Sequence, residues 1–273
     1  MTEPSLSDWL ARREAADTAA RSVALLDALV DALPVRRPLR IVDLGTGTGS
    51  NVRYLSTRLP RPQEWLVVDR DPTLLDELAR RVDAPIVART TNLGALTDDL
   101  FAGRDLVTAS ALLDLVSEPW LQALAGQCRR VGAAALFALT YDGRSTCTPA
   151  EPEDELVRGL MNRHQRQNDK GFGRAAGPDA TDAAARAFAA AGYTVRRARS
   201  DWTLGPSDRT LQRPLVEGWA AAAAEIAPDR SAAIGEWLAR RLRHIDAGVS
   251  HITVGHEDLA AWRATVRAPE GLT

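Results

Sequence analysis

The chain has 273 residues, 45% of them hydrophobic and 26% charged, with a formal net charge of −2. That is the composition of a globular protein able to bury a sizeable core, and with no block of five like charges it offers no electrostatic footprint for a phosphate backbone. Cys128 and Cys147 make no disulfide framework, no CxxC spacing suggests a metal, no apolar run reaches the ~18–20 residues of a membrane span, and the N-terminus is too polar for a signal peptide, so a cytoplasmic protein is expected.

In chain order, Leu6 to Leu33 reads as an amphipathic helix, with a break allowed near its middle. Leu26, Leu29, Val30 and Leu33 recur three and four apart, and Pro34 ends the run. Leu39–Leu44 is a strand that feeds a glycine-rich turn, and Asn51–Leu59 continues as a helix. Trp65–Val68 is a second strand closing on Asp69, and Pro72 opens a helix to about Val82. Pro85–Ala88 and Leu106–Ala109 are the third and fourth strands. Ser117 caps a helix with Pro119 in its first turn, running to about Arg130. Ala133–Leu139 is a fifth strand, apolar throughout, as a strand buried on both faces must be.

Beyond Tyr141 the pattern changes. Residues 142–178 are polar and carry Pro149, Pro152 and several glycines, with no helix or strand assigned there. Asp179–Ala191 is an Ala-rich helix ending at Gly192, Tyr193–Ala198 a sixth strand, Leu211–Ile226 and Ser231–Ile245 two helices, and Ile252–Val254 a last strand. Alternating strands and helices predict an α/β fold with a Rossmann-like, doubly wound, mostly parallel seven-stranded sheet. An N-terminal helix precedes it, and a helical pair is inserted between the last two strands. No linker divides the chain, so 1–273 is expected to be one domain: a helical segment 1–34, a ligand-binding core 35–141, and the remaining elements 142–273.

The turn Asp43-Leu44-Gly45-Thr46-Gly47-Thr48-Gly49-Ser50 joins a strand to a helix. Glycines let a ligand approach the backbone, and a helix N-terminus offers free N–H groups. A dinucleotide fingerprint G-x-G-x-x-G needs glycine where Ser50 stands, and a carboxylate at Asp43 opposes a pyrophosphate. Asp43 suits a ligand with an ammonium group, and Asp69 is placed to accept hydrogen bonds from two ribose hydroxyls.

These two segments resemble the first and second motifs of the class I S-adenosylmethionine-dependent methyltransferases: Asp43 to Gly49 the D/E-x-G-x-G-x-G loop, Val67-Val68-Asp69 the acidic strand end. The resemblance covers residues 39–140 and, more loosely, the last strands. It implies that Gly45, Thr46 and Gly47 line the methionine moiety of S-adenosyl-L-methionine, that Asp69 holds the ribose, and that Arg70 lies beside the adenine. Asn92 and Leu93 follow the third strand, where the family contacts the adenine; Asn92 equally suits a turn cap. Ser110 to Asp114 follow the fourth strand, facing sulfonium and acceptor, with Asp114 a candidate base or a capping residue.

The segment 161–173 is unusual for this Arg-rich chain, because it holds the only lysine, Lys170, and Phe172 between Gly171 and Gly173. It follows the fifth strand, the family's usual place for acceptor-binding elements. His164, Gln165, Lys170 and Phe172 are therefore expected in an acceptor pocket, with His164 a second candidate base and Tyr141 touching the acceptor. Trp9, Arg12 and Arg13 either close over the cofactor or pack and solvate. Trp202, Trp219 and Trp237 read as core or lid packing, and His244, His251 and His256 lack metal spacing.

The expected reaction is SN2 transfer of methyl to a small molecule. The alternatives are a catalytically silent S-adenosylmethionine binder, an NAD-type oxidoreductase, disfavoured by Asp43 and Ser50, and an RNA methyltransferase, which lacks a basic stripe or an Asn-Pro-Pro-Tyr type signature here.

Overall fold

The computed structural model describes residues 5–33, 38–167 and 169–263. The N-terminal helix is two: α1 (Leu6–Ala20) and α2 (Val23–Val30). The break falls at Arg21 and Ser22, where Ser22 caps α2 by accepting from the Leu25 N–H at 3.2 Å. Pro34, expected to end this segment, lies outside the described residues.

The core follows in alternation: β1 (Leu39–Leu44), α3 (Ser50–Ser56), β2 (Gln63–Asp69), α4 (Pro72–Arg81), β3 (Ile86–Thr90), α5 (Asp98–Phe101), β4 (Leu106–Ser110), α6 (Glu118–Val131) and β5 (Ala134–Thr148). Then come α7 (Asp154–Gln167), α8 (Ala180–Ala190), β6 (Thr194–Arg199), β7 (Trp202–Leu204), α9 (Arg209–Ile226), α10 (Ser231–Asp246) and β8 (His251–Trp262). The sheet runs β3-β2-β1-β4-β5-β8-β6, with β7 also paired to β8. Strands β1 to β5 pair in parallel, and β8 is antiparallel to its neighbours β5, β6 and β7. This is the Rossmann-like class expected, with the helical pair α9–α10 ahead of the last strand.

Alternation along each strand builds two cores at once. On β1, Val42 and Leu44 pack with Val68, Val107, Phe137 and Phe188 on one face, while Leu39 and Ile41 pack with Trp65, Val67 and Leu106 on the other. All three residues of β1's Ile41-Val42-Asp43 run are fully buried, as a central strand requires.

Three details differ from the sequence reading. The polar segment 142–178, to which the sequence pattern assigns no element, holds two: β5 continues to Thr148, and α7 fills much of the remainder. Helix α7 buries Val157, Leu160 and Met161, spaced three and four apart, a signal that the surrounding charges obscure. The last strand is twelve residues rather than three, and β7 is an additional strand, giving eight in the sheet. Polar residues hid both, because here they satisfy each other: Asp201 pairs with Arg144, and Asp258 accepts backbone N–H groups.

The extensions of β5 and β8 build a third core. Against them, with β7, pack α7, α9 and α10 through Tyr141, Met161, Trp202, Trp219, Trp237 and Val254. This satellite core stands over the carboxyl ends of β1, β4 and β5, where ligands bind in open α/β sheets.

Candidate active site

At the end of β1 the backbone turns through three left-handed glycines, Gly45 (φ +64°), Gly47 (+54°) and Gly49 (+82°). A Cβ on Gly45 would meet Leu112 at 3.3 Å, one on Gly47 would meet Leu10 at 3.0 Å, and one on Gly49 would meet Leu78 at 2.7 Å. Beneath this turn Asp43 is fully buried. It accepts from Thr46 Oγ1 at 2.6 Å and Asn51 Nδ2 at 2.7 Å. Asn51 Oδ1 in turn accepts from the buried Arg21 guanidinium at 2.6 Å, which ties the α1–α2 break to the loop. Burial raises the Asp43 carboxyl to about 6, against its two hydrogen bonds and Arg21. A buried carboxylate of this kind gains from a cationic ligand, whose charge offsets its desolvation.

Asp69 ends β2. Its Oδ2 accepts from the Gly47 N–H at 2.8 Å and its Oδ1 from the Asp71 N–H at 3.0 Å, so the carboxylate is fixed in orientation before any ligand arrives. Each oxygen retains a further lone pair for a hydroxyl donor.

These groups open into one cavity of about 420 Å³, within the size of small-molecule sites. Its wall on the glycine-loop side includes Asp43, Gly45, Thr46, Gly47, Asp69, Arg70, Leu93 and Ser110. Helix α1 roofs it with Leu6, Trp9, Leu10, Arg13 and Asp17, spaced three and four apart on one face. The far end is the satellite core: Tyr141 from β5, Met161 and Gln165 from α7, Trp202 from β7, Leu215 and Trp219 from α9, Val254 and His256 from β8. Asp114, Lys170 and Phe172 lie between the two ends. Phe172 is set edge-on to Trp120 at 5.9 Å, and Trp120 Nε1 donates to the Leu93 carbonyl at 2.6 Å, so one indole positions residues expected on opposite sides of the site.

Two expected residues are not brought to the cavity. His164 projects from the other side of α7's last turn, where Nε2 pairs with Glu225 at 2.9 Å, because one helical step from Gln165 turns the side chain by about 100°. Asn92 is exposed and caps a turn, its Oδ1 accepting from the Gly94 N–H at 2.8 Å. That is the turn-cap reading of this residue.

His256 was missed. It is 5% exposed, sits 5.0 Å from the Trp202 ring and 6.2 Å from Tyr141, and its Nδ1 is buried without a partner. Burial, aided by the Arg13 charge, lowers its pKa to about 3, so it is a neutral ring at any working pH. The sequence signal was weak: a histidine, rare in this chain, on a stretch too polar to read as a strand. Trp202 and Trp219, expected as packing, are also cavity walls. Arg13, one of the two alternatives for α1, stands over Trp202 at 5.0 Å and pairs with Asp17 at 2.9 Å.

Asp114 is 9% exposed, and burial raises its pKa to about 6; its Oδ1 is buried with no hydrogen-bond partner. The Tyr141 hydroxyl donates to Asn162 Oδ1 at 2.9 Å, and burial pushes its pKa up. Among the described residues no group of three His, Cys, Asp or Glu is placed to hold a metal, and no helix is long and apolar enough to cross a membrane.

Residues 41–134 match the methyltransferase domain family. No curated protein matches the chain in sequence. Among solved structures the chain is similar to the cyclopropane synthase MmaA2 from Mycobacterium tuberculosis, at 11% identity over 87% of this chain and 83% of that one, with a TM-score of 0.46. It is similar to the geranyl diphosphate C-methyltransferase from Streptomyces coelicolor A3(2), at 16% identity over 88% and 80%, TM-score 0.45. It is also similar to the YcgJ protein from Bacillus subtilis, at 14% identity over 89% and 99%, TM-score 0.47.

Proposed function

We propose that the protein, whose residues 41–134 match the methyltransferase domain family, transfers a methyl group from S-adenosyl-L-methionine to a small-molecule acceptor. One observation carries the reading: a single cavity runs from the glycine loop and Asp69 to a chamber walled by Trp9, Trp202, Trp219 and Met161. A silent binder has no need of the second chamber.

The residues fit the cofactor. A Cβ at Gly45 would press on Leu112 and one at Gly47 on Leu10, both of which line the cavity, and the fixed Asp69 carboxylate suits a pair of ribose hydroxyls. Gly45, Thr46 and Gly47 would line the methionine portion, Arg70 and Leu93 the adenine, and Ser110 the approach to the sulfur. Asp43 would set a negative potential beneath the loop and orient Thr46 through their 2.6 Å hydrogen bond. Bound there, the cofactor supplies an electrophilic methyl group already activated by its sulfonium. The chain therefore has mainly to align an acceptor and exclude water, which holding both partners in one roofed cavity achieves.

Calorimetry against S-adenosylhomocysteine and NAD, followed by methyl-donor turnover across a metabolite library, tests the proposal. Binding of S-adenosylhomocysteine but not NAD, with turnover on at least one library member, is expected. Preference for NAD overturns it.

A further inference from the structure

We infer that the acceptor is a compact, largely apolar molecule whose reacting atom carries a proton, as an amine or hydroxyl, and that Asp114 receives this proton while Gln165 binds a polar group beside it. The inference rests on the methyl-transfer reading above and specifies the chemistry of its acceptor.

The polar groups of the chamber divide into those already engaged and those left open. Asp17 is held by Arg13 at 2.9 and 3.1 Å and by Trp202 Nε1 at 3.0 Å. The Tyr141 hydroxyl has spent its proton on Asn162. Among the cavity-lining residues, the buried side-chain atoms without a partner are Asp114 Oδ1, Gln165 Oε1 and His256 Nδ1. An unpaired buried acceptor costs ~1–3 kcal/mol, more if charged, and a ligand that brings a donor recovers that cost. The remaining walls are tryptophan, methionine, leucine and valine, which fit an apolar body.

This distribution argues against two other acceptor types. A carbon nucleophile without N–H or O–H would seal Asp114 Oδ1 in the chamber with nothing to accept from. A phosphorylated acceptor needs unpaired cations. Of the cations lining the cavity, Arg13 is neutralised by Asp17, and Arg70 and Lys170 are exposed at the rim.

Asp114 follows the end of β4 through Ala111, held at φ +51°, and Leu112, which touches the space over Gly45. Asp114 and the loop that would hold the methionine portion thus line the same cavity. As the nucleophile's lone pair closes on the methyl carbon, the carbon–sulfur pair withdraws to sulfur and the nucleophile's proton passes to Asp114, which later returns it to water. Burial keeps the proton affinity of this carboxylate above the ordinary range, which favours the transfer. His256, kept neutral, contributes a ring edge without adding a charge that would repel a cation.

The test uses the full chain loaded with S-adenosylhomocysteine and two matched probe pairs in calorimetry: tryptamine with its quaternary N,N,N-trimethyl derivative, which keeps the charge but has no N–H on that nitrogen, and 2-naphthol with 2-methoxynaphthalene. At least one uncapped probe should bind about tenfold more tightly than its capped counterpart. Asp114→Asn and Gln165→Leu should each reduce that ratio severalfold while the unfolding midpoint shows the fold intact. Discrimination within the amine pair alone assigns nitrogen, and within the naphthol pair alone oxygen. Equal affinity within both pairs, binding of no probe, or unchanged ratios in folded variants overturns the inference. A chain that fails to bind S-adenosylhomocysteine sinks the earlier reading instead.

Discussion

The Leu139 N–H donates to the Asp258 carboxylate at 2.9 Å, a side-chain bond placed where the β5–β8 ladder skips register between Phe137 and Thr140. Leu139 sits in the left-handed region at φ +56°, and it lines the cavity. The other oxygen of Asp258 accepts from the Ser22 N–H at 3.0 Å, at the break between α1 and α2. One carboxylate thus fastens the strand irregularity that forms the chamber floor to the segment that begins its roof.

Asp258→Ala leaves two backbone donors without this acceptor and removes a negative charge that acts on the buried Arg21. A loss on the order of 3 kcal/mol in unfolding free energy is expected from stranding them, read from urea denaturation. An unchanged midpoint would mean that water replaces the carboxylate and that the fastening is not structural.

Asp69→Ala removes the carboxylate expected to take two hydroxyl donors and also frees the Gly47 N–H. S-adenosylhomocysteine affinity should fall by at least about 10- to 100-fold, the scale of a single charged hydrogen bond. Asn92→Ala, on an exposed turn outside the cavity, should leave that affinity within about twofold. Calorimetry on both variants checks the contrast.

The buried Asp114 and His256 give opposing pH dependences of stability. An unfolded Asp titrates near ~3.9, whereas folded Asp114 holds its proton to about 6. Across that window the folded state binds more protons, so this residue's contribution to stability falls as pH rises. His256 is lowered to about 3 from an unfolded value near ~6.5; there the unfolded state binds more protons, and stability is lost as pH falls. His256→Gln should flatten the acid loss between these values. Asp114→Asn should gain stability relative to the parent at pH 7 compared with pH 4. Urea titrations across that range decide both.

Gly49→Ala forces a side chain into a φ of +82° with Leu78 at 2.7 Å. The left-handed conformation alone costs roughly 1–2 kcal/mol, so a loss of at least about 2 kcal/mol is expected once the contact is added. Gly126→Ala is the matched control. It lies inside α6 with nothing within 4 Å of the new methyl and should gain about 0.5–1 kcal/mol. Thermal or chemical unfolding measures both.

The parallel core was legible because each of its signals is local. The apolar runs of β1, β2, β4 and β5, the glycine spacing at 45, 47 and 49, and Asp69 all lie within short segments whose meaning needs no distant partner. The chamber was less legible because its residues become comprehensible only in pairs. Asp258 looks too polar for a strand until Leu139 and Ser22 reach it, and Asp201 until it meets Arg144 and the His256 N–H. Segment 161–173 pointed to the right region, but without the helical phase of α7 it could not separate Gln165, which faces inward, from His164 beside it. His256 offered no motif; its role depends on Trp202 and Tyr141, brought in from two other strands.

Helix α1 roofs the cavity, packing Trp9, Ala16 and Ala20 on the third core, and its ties to the elements beside the glycine loop include ionic and polar ones: Glu14 with Arg53 and Arg81, and Ser7 with Glu77. Leu10 rests against the glycine loop that would hold the donor. Ligand traffic must therefore pass a latch that electrolyte can loosen without touching the sheet below. Raising ionic strength should accelerate product escape more than it slows chemistry, so turnover by this chain would respond to salt as a door does, through its hinges rather than its room.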